Sequence, residues 1–363
     1  MKKFDYSFLK NEKISSNIFS LLISIEKIQI MGTKNEVIYP KVYENIQEIA
    51  NFQSTKFTNL LDGIHISDLT LESIISINGD LKSHSDHVLS DFYDILKAIN
   101  NGYDKITFNS YGIRDIHNSI FGTNSNKYGG EFKNQDNYIY ELEDDGTKTL
   151  IFKPTSSDHT SKAIDELLEA YKIAISDVDI PNLLLIPCFV LDFLLIYPFN
   201  EGNERISRLL SLLLLHKSGY HVGKYVSFDK QLYKDKKAYY DAIQKSSVNW
   251  ENNNNNYEEF MEFFLKKIYA CYTELNSRFK IVEGMKINKK KRVEETIMRS
   301  FEPISRKEIY LIWPDISHET IKKVVKNLLN ENKIKKIGNF KDARYKRNWY
   351  GDRSRNEENI VIF

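Results

Sequence analysis

Residues 191–215, Leu-Asp-Phe-Leu-Leu-Ile-Tyr-Pro-Phe-Asn-Glu-Gly-Asn-Glu-Arg-Ile-Ser-Arg-Leu-Leu-Ser-Leu-Leu-Leu-Leu, leave few folds open to this chain. The run 187–196 is almost wholly apolar, and a helix apolar on every side has to be buried. Residues 205–215 resume as a second buried helix. Between them, 198–204 hold one Pro, two Asn, one Gly and two Glu. The stretch therefore reads as helix, polar loop, helix at the centre of a domain. A loop opening onto the N-terminus of a buried helix is an anion cradle, because free backbone N–H groups and the positive dipole end point the same way. Arg205 and Arg208 lie three apart, on one face of the first turn. Two such guanidiniums can grip a polyphosphate.

Residues 197–208, Tyr-Pro-Phe-Asn-Glu-Gly-Asn-Glu-Arg-Ile-Ser-Arg, resemble the signature of the Fic (Fido) family, His-Pro-Phe-x-Asp/Glu-Gly-Asn-Gly-Arg-x-x-Arg. Ten of the twelve positions fit, counting the free ones. The resemblance implies a mainly α fold, a helical bundle with a β-hairpin flap, and AMP transfer from ATP to a protein hydroxyl. It implies a Mg²⁺ carboxylate at Glu201 and a phosphate-side amide at Asn203. It further implies phosphate grips at Arg205 and Arg208, and a nucleotide-binding loop through Gly202 and Glu204. Two departures bear on the chemistry. Tyr197 stands where the family has its catalytic His. With a reference pKa of about 10 it is protonated at neutral pH and is a poor base. Glu204 stands where the family has a small Gly, and its carboxylate repels a triphosphate.

Upstream, 14–28 carry Ile14, Ile18, Leu21, Leu22, Ile25 and Ile28 at helical spacing, a packing helix. A second helix over 43–63 ends at Gly63. Its end, Thr58-Asn59-Leu60-Leu61-Asp62-Gly63, resembles the inhibitory motif of many Fic proteins, Ser/Thr-x-x-x-Glu-Gly. That implies Thr58, Asp62 and Gly63 as a brake in which the carboxylate pairs with Arg208 and displaces the γ-phosphate. Asp62 is one methylene shorter than Glu, so a longer or water-bridged pair is expected. A plain helix C-cap explains the hexapeptide equally well. Residues 69–100 read as helical with a break near Asn78-Gly79, and 111–121 as a helix. His117 on that helix reads as a packing or capping residue rather than a ligand. Residues 127–132 resemble the family stretch before the flap. Two strand-like runs, 138–142 and 149–152, flank Glu143-Asp144-Asp145-Gly146, a hairpin signal. The resemblance makes this hairpin (138–152) the dock for a target protein by strand addition. Further helices are expected from about 161 to 175, over 229–244 and over 257–279. Residues 251–256, a Glu and five Asn, form a low-complexity loop.

Residues 285–350 hold 18 Lys/Arg against 8 Asp/Glu, a net of +10 in a chain whose total is +1. Three short helices (289–299, 306–312, 317–330) followed by two basic strand-like runs resemble a winged helix-turn-helix. Lys322, Lys323 and Lys326, with His318, face outward on its third helix and are candidate DNA contacts. Use of the same unit for protein contact stays open. Four regions are expected: N-terminal helices to 68, a core over 69–280, the basic unit over 285–350, and a tail over 351–363.

Cys188 and Cys271 lie on apolar helical stretches and give neither a disulfide framework nor a metal spacing. No apolar signal core and no run of 18 apolar residues occur, so a cytoplasmic protein without membrane contact is expected. Richness in Asn, Lys and Ile suggests an AT-rich bacterial genome. Two functions follow. One is a Fic-type adenylyltransferase, using ATP and Mg²⁺, weakened or silenced at Tyr197 and Glu204, or transferring another phosphate-linked group. The other is a non-catalytic scaffold regulating through DNA. A homodimer is left open.

Overall fold

The computed structural model describes residues 2–10, 14–38, 40–76, 81–122, 129–142, 148–279, 288–300, 303–338 and 343–348. In chain order its N-terminal half contains α1 (Ser16–Ile38), α2 (Pro40–Leu61), α3 (Asp68–Ile74), α4 (His84–Gly102) and α5 (Ser110–Phe121). A hairpin, β1 (Ile139–Leu142) and β2 (Lys148–Phe152), precedes α6 (Ser157–Ile175), α7 (Asn182–Ile196) and α8 (Asn203–Lys217). Then come α9 (Phe228–Lys234), α10 (Lys236–Ser247) and α11 (Glu258–Phe279). The C-terminal unit runs α12 (Lys289–Arg299), β3 (Ile304–Ser305), α13 (Arg306–Ile312), α14 (His318–Asn330), β4 (Ile334–Ile337) and β5 (Arg344–Arg347). The fold is mainly α, a helical bundle with a β-hairpin, as expected.

The apolar pair α7 and α8 forms its axis. Every residue from Leu183 to Ile196 is buried, as is every residue from Arg205 to His216. Helix α7 begins at Asn182 and runs on through Pro187. Proline removes one i→i−4 bond and normally ends a helix. Here burial on all sides holds the segment helical through that loss, and tertiary packing overrides the local preference. Helix α8 starts two residues before the expected Arg205, placing Asn203 and Glu204 in its first turn. The expected helix over 229–244 is two helices, α9 and α10. They are divided at Asp235, which has non-helical dihedrals. Helix α6 starts at Ser157, four residues before expectation.

Asp192, the one acidic residue inside the apolar run of α7, is fully buried. Tyr6 Oη donates to its Oδ2 at 2.8 Å, Trp250 Nε1 to its Oδ1 at 2.6 Å, and Tyr257 Oη to both oxygens at 3.0 Å. The carboxylate thus ties the N-terminal segment, the Asn-rich loop and α11 to the core. That loop also holds the chain start: Lys2 Nζ donates to Asn255 Oδ1 and the Lys3 amide to Asn253 Oδ1.

Strands β1 and β2 pair antiparallel, and the C-terminal sheet has order β3-β5-β4. The two-residue strand β3 was not legible in the sequence. Ser305 caps α13 in a capping box with Glu308, and Ser317 caps α14. Residues 77–80, 127–128, the hairpin tip 143–147, residues 339–342 and the tail 351–363 lie outside the described residues. No helix among the described residues is long and apolar enough to cross a membrane.

Candidate functional site

The α7–α8 loop is braced before it is charged. Asn203 Oδ1 accepts from the Phe199 amide and its Nδ2 donates to the Phe199 carbonyl, both at 2.8 Å. The side chain expected beside phosphate therefore has its amide engaged on the loop itself. His117 Nδ1 accepts from the Gly130 amide at 2.9 Å, and Nε2 faces the Glu201 carbonyl at 3.2 Å. This pattern suits the neutral Nε2–H tautomer. The ring stacks on Phe199 at 3.8 Å and on Phe121 at 4.8 Å. His117 is thus a packing and capping residue that also positions the loop. Lys133 Nζ donates to the Ile196 carbonyl, and its own amide donates to the Pro198 carbonyl. Gly202 is left-handed (φ 74°), and a Cβ there would meet the Phe121 ring at 2.3 Å, so the loop requires glycine twice over.

Burial holds His117 down to about 4. Its folded value lies below the ordinary 6.5, so its stability contribution is complete above about pH 6.5 and is lost as pH falls towards 4. The loss amounts to about 3 kcal/mol. Urea unfolding at pH 7 and pH 4.5 measures it. The wild-type stability drop should exceed that of His117→Gln, and equal drops would contradict a buried neutral imidazole.

Tyr197 caps α7 in a left-handed conformation (φ 52°) and lines a cavity of about 390 Å³ with Asp62, Gly63, Glu204, Lys236 and Tyr240. Burial, then the Glu204 carboxylate, push its hydroxyl up to about 12. That is further from a neutral-pH base than free tyrosine. Glu204 Oε2 accepts from Tyr240 Oη at 2.9 Å and lies 3.8 Å from Arg208 Nη1. Glu201, the expected metal carboxylate, is an exposed loop residue. Among the described residues no group of three or more His, Cys, Asp or Glu is arranged to hold a metal ion.

Helix α2 fills the cradle. Asp62 Oδ2 pairs closely with Arg205 Nε, and its Oδ1 reaches Arg208 Nη2 at 3.2 Å. The pair with Arg208 is direct rather than water-bridged, and the closer contact is with Arg205. Thr58 Oγ1 accepts from Arg208 Nη2 at 2.7 Å, and Asn59 Oδ1 from Arg205 Nη2 at 2.7 Å. Gly63 ends the segment at φ 80°.

Behind Arg208 stands Asp229, with Oδ1 3.1 Å from Nε and both side chains 1% exposed. Sequence reading missed it, because an acidic residue in a helix first turn after a capping Ser is ordinarily a dipole partner. Burial alone would lower Arg208, but Asp62 and then Asp229 more than offset this and hold it above its usual range. Lys236 and Tyr240, also unforeseen, enter the cavity from one face of α10. Two guanidiniums and the Lys236 ammonium thus share this region with three carboxylates: Asp62, Glu204 and Asp229. With α2 seated in this way a triphosphate with Mg²⁺ does not fit, because the phosphate grips are already paired with Asp62.

A braced loop between two buried helices, presenting paired arginines to a small cavity, defines a helical anion-cradle domain. Residues 107–215 match the model of the Fic/DOC family, and the chain carries a Fic domain. The fold resembles that of a Fic family protein from Desulfovibrio desulfuricans G20. The two are 12% identical with a TM-score of 0.58, covering 93% of this chain and 97% of that one. It also resembles a Fic domain containing signaling protein from Bacteroides thetaiotaomicron VPI-5482, at 18% identity and TM-score 0.52, over 72% of this chain and 95% of that one. Fic-1 (aa134–508) from C. elegans is similar at 14% identity and TM-score 0.56, over 72% and 73%. Comparison with curated proteins found no match.

Proposed function

We propose that this chain is a Fic-type nucleotidyltransferase whose pocket is held shut by its own carboxylates, so that AMP transfer from ATP to a protein hydroxyl is weak or lost. The observation that carries this reading is Asp62 bridging Arg205 and Arg208. Tyr197 and Glu204 add to it, the first withdrawing the base and the second the space and charge that phosphate needs. With α2 displaced, Arg205 and Arg208 would hold phosphate oxygens and Glu201 would hold Mg²⁺, which neutralises phosphate charge when bound. The hairpin exposes Tyr138, Tyr140 and Leu150, a surface suited to an extended segment of the target protein. The test is incubation with labelled ATP and Mg²⁺, with and without a bacterial extract. Little or no label on any protein is expected, and rapid labelling by the unaltered chain would overturn the reading.

A second reading is favoured by the C-terminal unit. Lys322, Lys323 and Lys326 are all exposed on α14, and the unit's element order suits a winged helix-turn-helix that contacts DNA. Its role would be regulation through DNA, with the Fic domain as scaffold. Full-length protein should shift the anisotropy of a labelled 20-base-pair duplex (length about two turns) at low salt, and weaken steeply as salt rises. Lys322→Glu, Lys323→Glu and Lys326→Glu together should weaken binding at least about tenfold. No anisotropy change at low salt would favour protein contact instead.

A further inference from the structure

The C-terminal half of α2 buries an unusual face. Asn51, Ser54, Thr55, Thr58 and Asn59 are each at most 3% exposed. They recur three and four apart, so one inward stripe of the helix is polar. Its contacts are hydrogen bonds: Asn100 Nδ2 to Asn51 Oδ1 at 2.7 Å, Ser54 Oγ to Ser227 Oγ at 2.9 Å, and the arginine contacts of Thr58 and Asn59. The neutral contacts contribute little net adhesion, because water replaces them when the helix leaves, and only those of Thr58 and Asn59 to the guanidiniums contribute more. The fully buried apolar anchors of α2 are Tyr43, Ile46, Ile49 and Ala50 in its first half and Leu61 at its C-terminal end, with Phe57 against Tyr233 between them. From Asn51 to Asn59 the inward stripe is polar, so contacts on the outer side of the helix bear on how firmly the half leading to Asp62 is seated.

On that outer side, helix α13 packs along α2. Asp68, at the start of α3, pairs with Lys56 of α2 and with Arg344 Nη2 of β5, the latter at 3.1 Å. Arg344 Nη1 also reaches Glu308 of α13 at 3.0 Å and the Pro303 carbonyl at 3.1 Å. Glu72, one turn along α3 from Asp68, pairs with Lys307 of α13 at 2.7 Å. Asp68, Lys56, Arg344 and Glu308 are all partly buried, which shields their charges from solvent screening better than on an open surface. Two elements of the C-terminal unit thus grip α3 through one carboxylate face, and Asp68 passes the grip to α2.

We propose that the C-terminal unit is the outer jaw of the brake, an ionic bracket that keeps the polar half of α2 seated on Arg205 and Arg208. Breaking the bracket raises the population in which α2 lifts and the cradle opens. By linkage, whatever displaces the C-terminal unit from Asp68 and Glu72 also unseats Asp62. The inference rests on the reading of Asp62 as the carboxylate that closes the pocket.

Amide hydrogen exchange on the full chain tests it without reference to activity. In Asp68→Asn with Glu72→Gln, peptides spanning 51–63 should exchange about tenfold faster than in wild type, while peptides of α7 and α8 keep their rate. The opposite side of the bracket, Arg344→Gln with Lys307→Gln, should give the same result. Unchanged exchange over 51–63 in both pairs would overturn the bracket. So would acceleration shared equally by α7 and α8, since that is loss of the fold rather than release of a helix. Binding of Mg²⁺·ATP to Asp62→Gly separates this from the function proposed above. If that variant binds while the bracket variants leave 51–63 unmoved, the bracket fails and the closed pocket stands. If 51–63 is released but Mg²⁺·ATP binds no variant, the pocket reading fails and the bracket stands.

Discussion

Incubated with labelled ATP and Mg²⁺, a chain carrying Tyr197→His, Glu204→Gly and Asp62→Gly labels itself at least about 10²-fold faster than the unaltered protein. The size follows from what each change restores. A positioned general base contributes about 10²–10⁴ in rate. Tyr197, pushed up to about 12 by burial and then Glu204, supplies none at neutral pH. Tyr197→His alone leaves Glu204 beside Arg208 and Asp62 across both arginines. Glu204→Gly alone leaves the base missing and the cradle filled. Tyr197→His with Glu204→Gly is the smallest set that should give visible self-AMPylation, and Asp62→Gly should raise it further. Asp229 remains on Arg208 in every variant, which restrains the final rate without filling the side of the guanidinium that Asp62 covers. If the unaltered chain labels as fast as the triple variant, Tyr197 and Glu204 belong to a different, working chemistry.

Asp192→Ala should lower the unfolding free energy by about 4 kcal/mol, read as a lower urea midpoint at unchanged slope. Three buried donors, on Tyr6, Trp250 and Tyr257, converge on this carboxylate. Each donor left unsatisfied in the core costs about 1–3 kcal/mol. The substitution should also release the chain start, because Tyr6 and the loop that holds Lys2 and Lys3 both depend on it. Faster proteolysis of residues 2–10 would accompany the lost stability. A midpoint within error of wild type would mean that the three donors find water, and that Asp192 is no hub.

The helical hairpin and its loop were legible because their signals are local. Apolar runs on either side of 198–204 force burial, and the twelve-residue motif brings Arg205 and Arg208 to one helix start. The contact of Asp62 with Arg208 was expected from the same resemblance, whereas the closer one with Arg205 was not. What escaped was non-local. Asp192 stood out only as an interruption of an apolar run, while its partners are 186, 58 and 65 residues away. Asp229 looked like an ordinary helix-start acid until α2 and α8 closed over it. The polar stripe of α2 does have a sequence period, at 51, 54, 55, 58 and 59, yet such a stripe ordinarily marks a solvated face. Its burial follows from Arg205, Arg208, Ser227 and Asn100 opposite, which no window of sequence contains. Pro187 inside α7 shows the converse: a local breaker yields to packing.

Calorimetry with Mg²⁺·ATP tests the closed cradle most directly. The account predicts little heat for the unaltered chain, more for Glu204→Gly, and a saturating isotherm when Asp62→Gly is added. Tight binding of equal strength in all three would contradict it, because the carboxylates of Asp62 and Glu204 would then not be what occupies the phosphate grips.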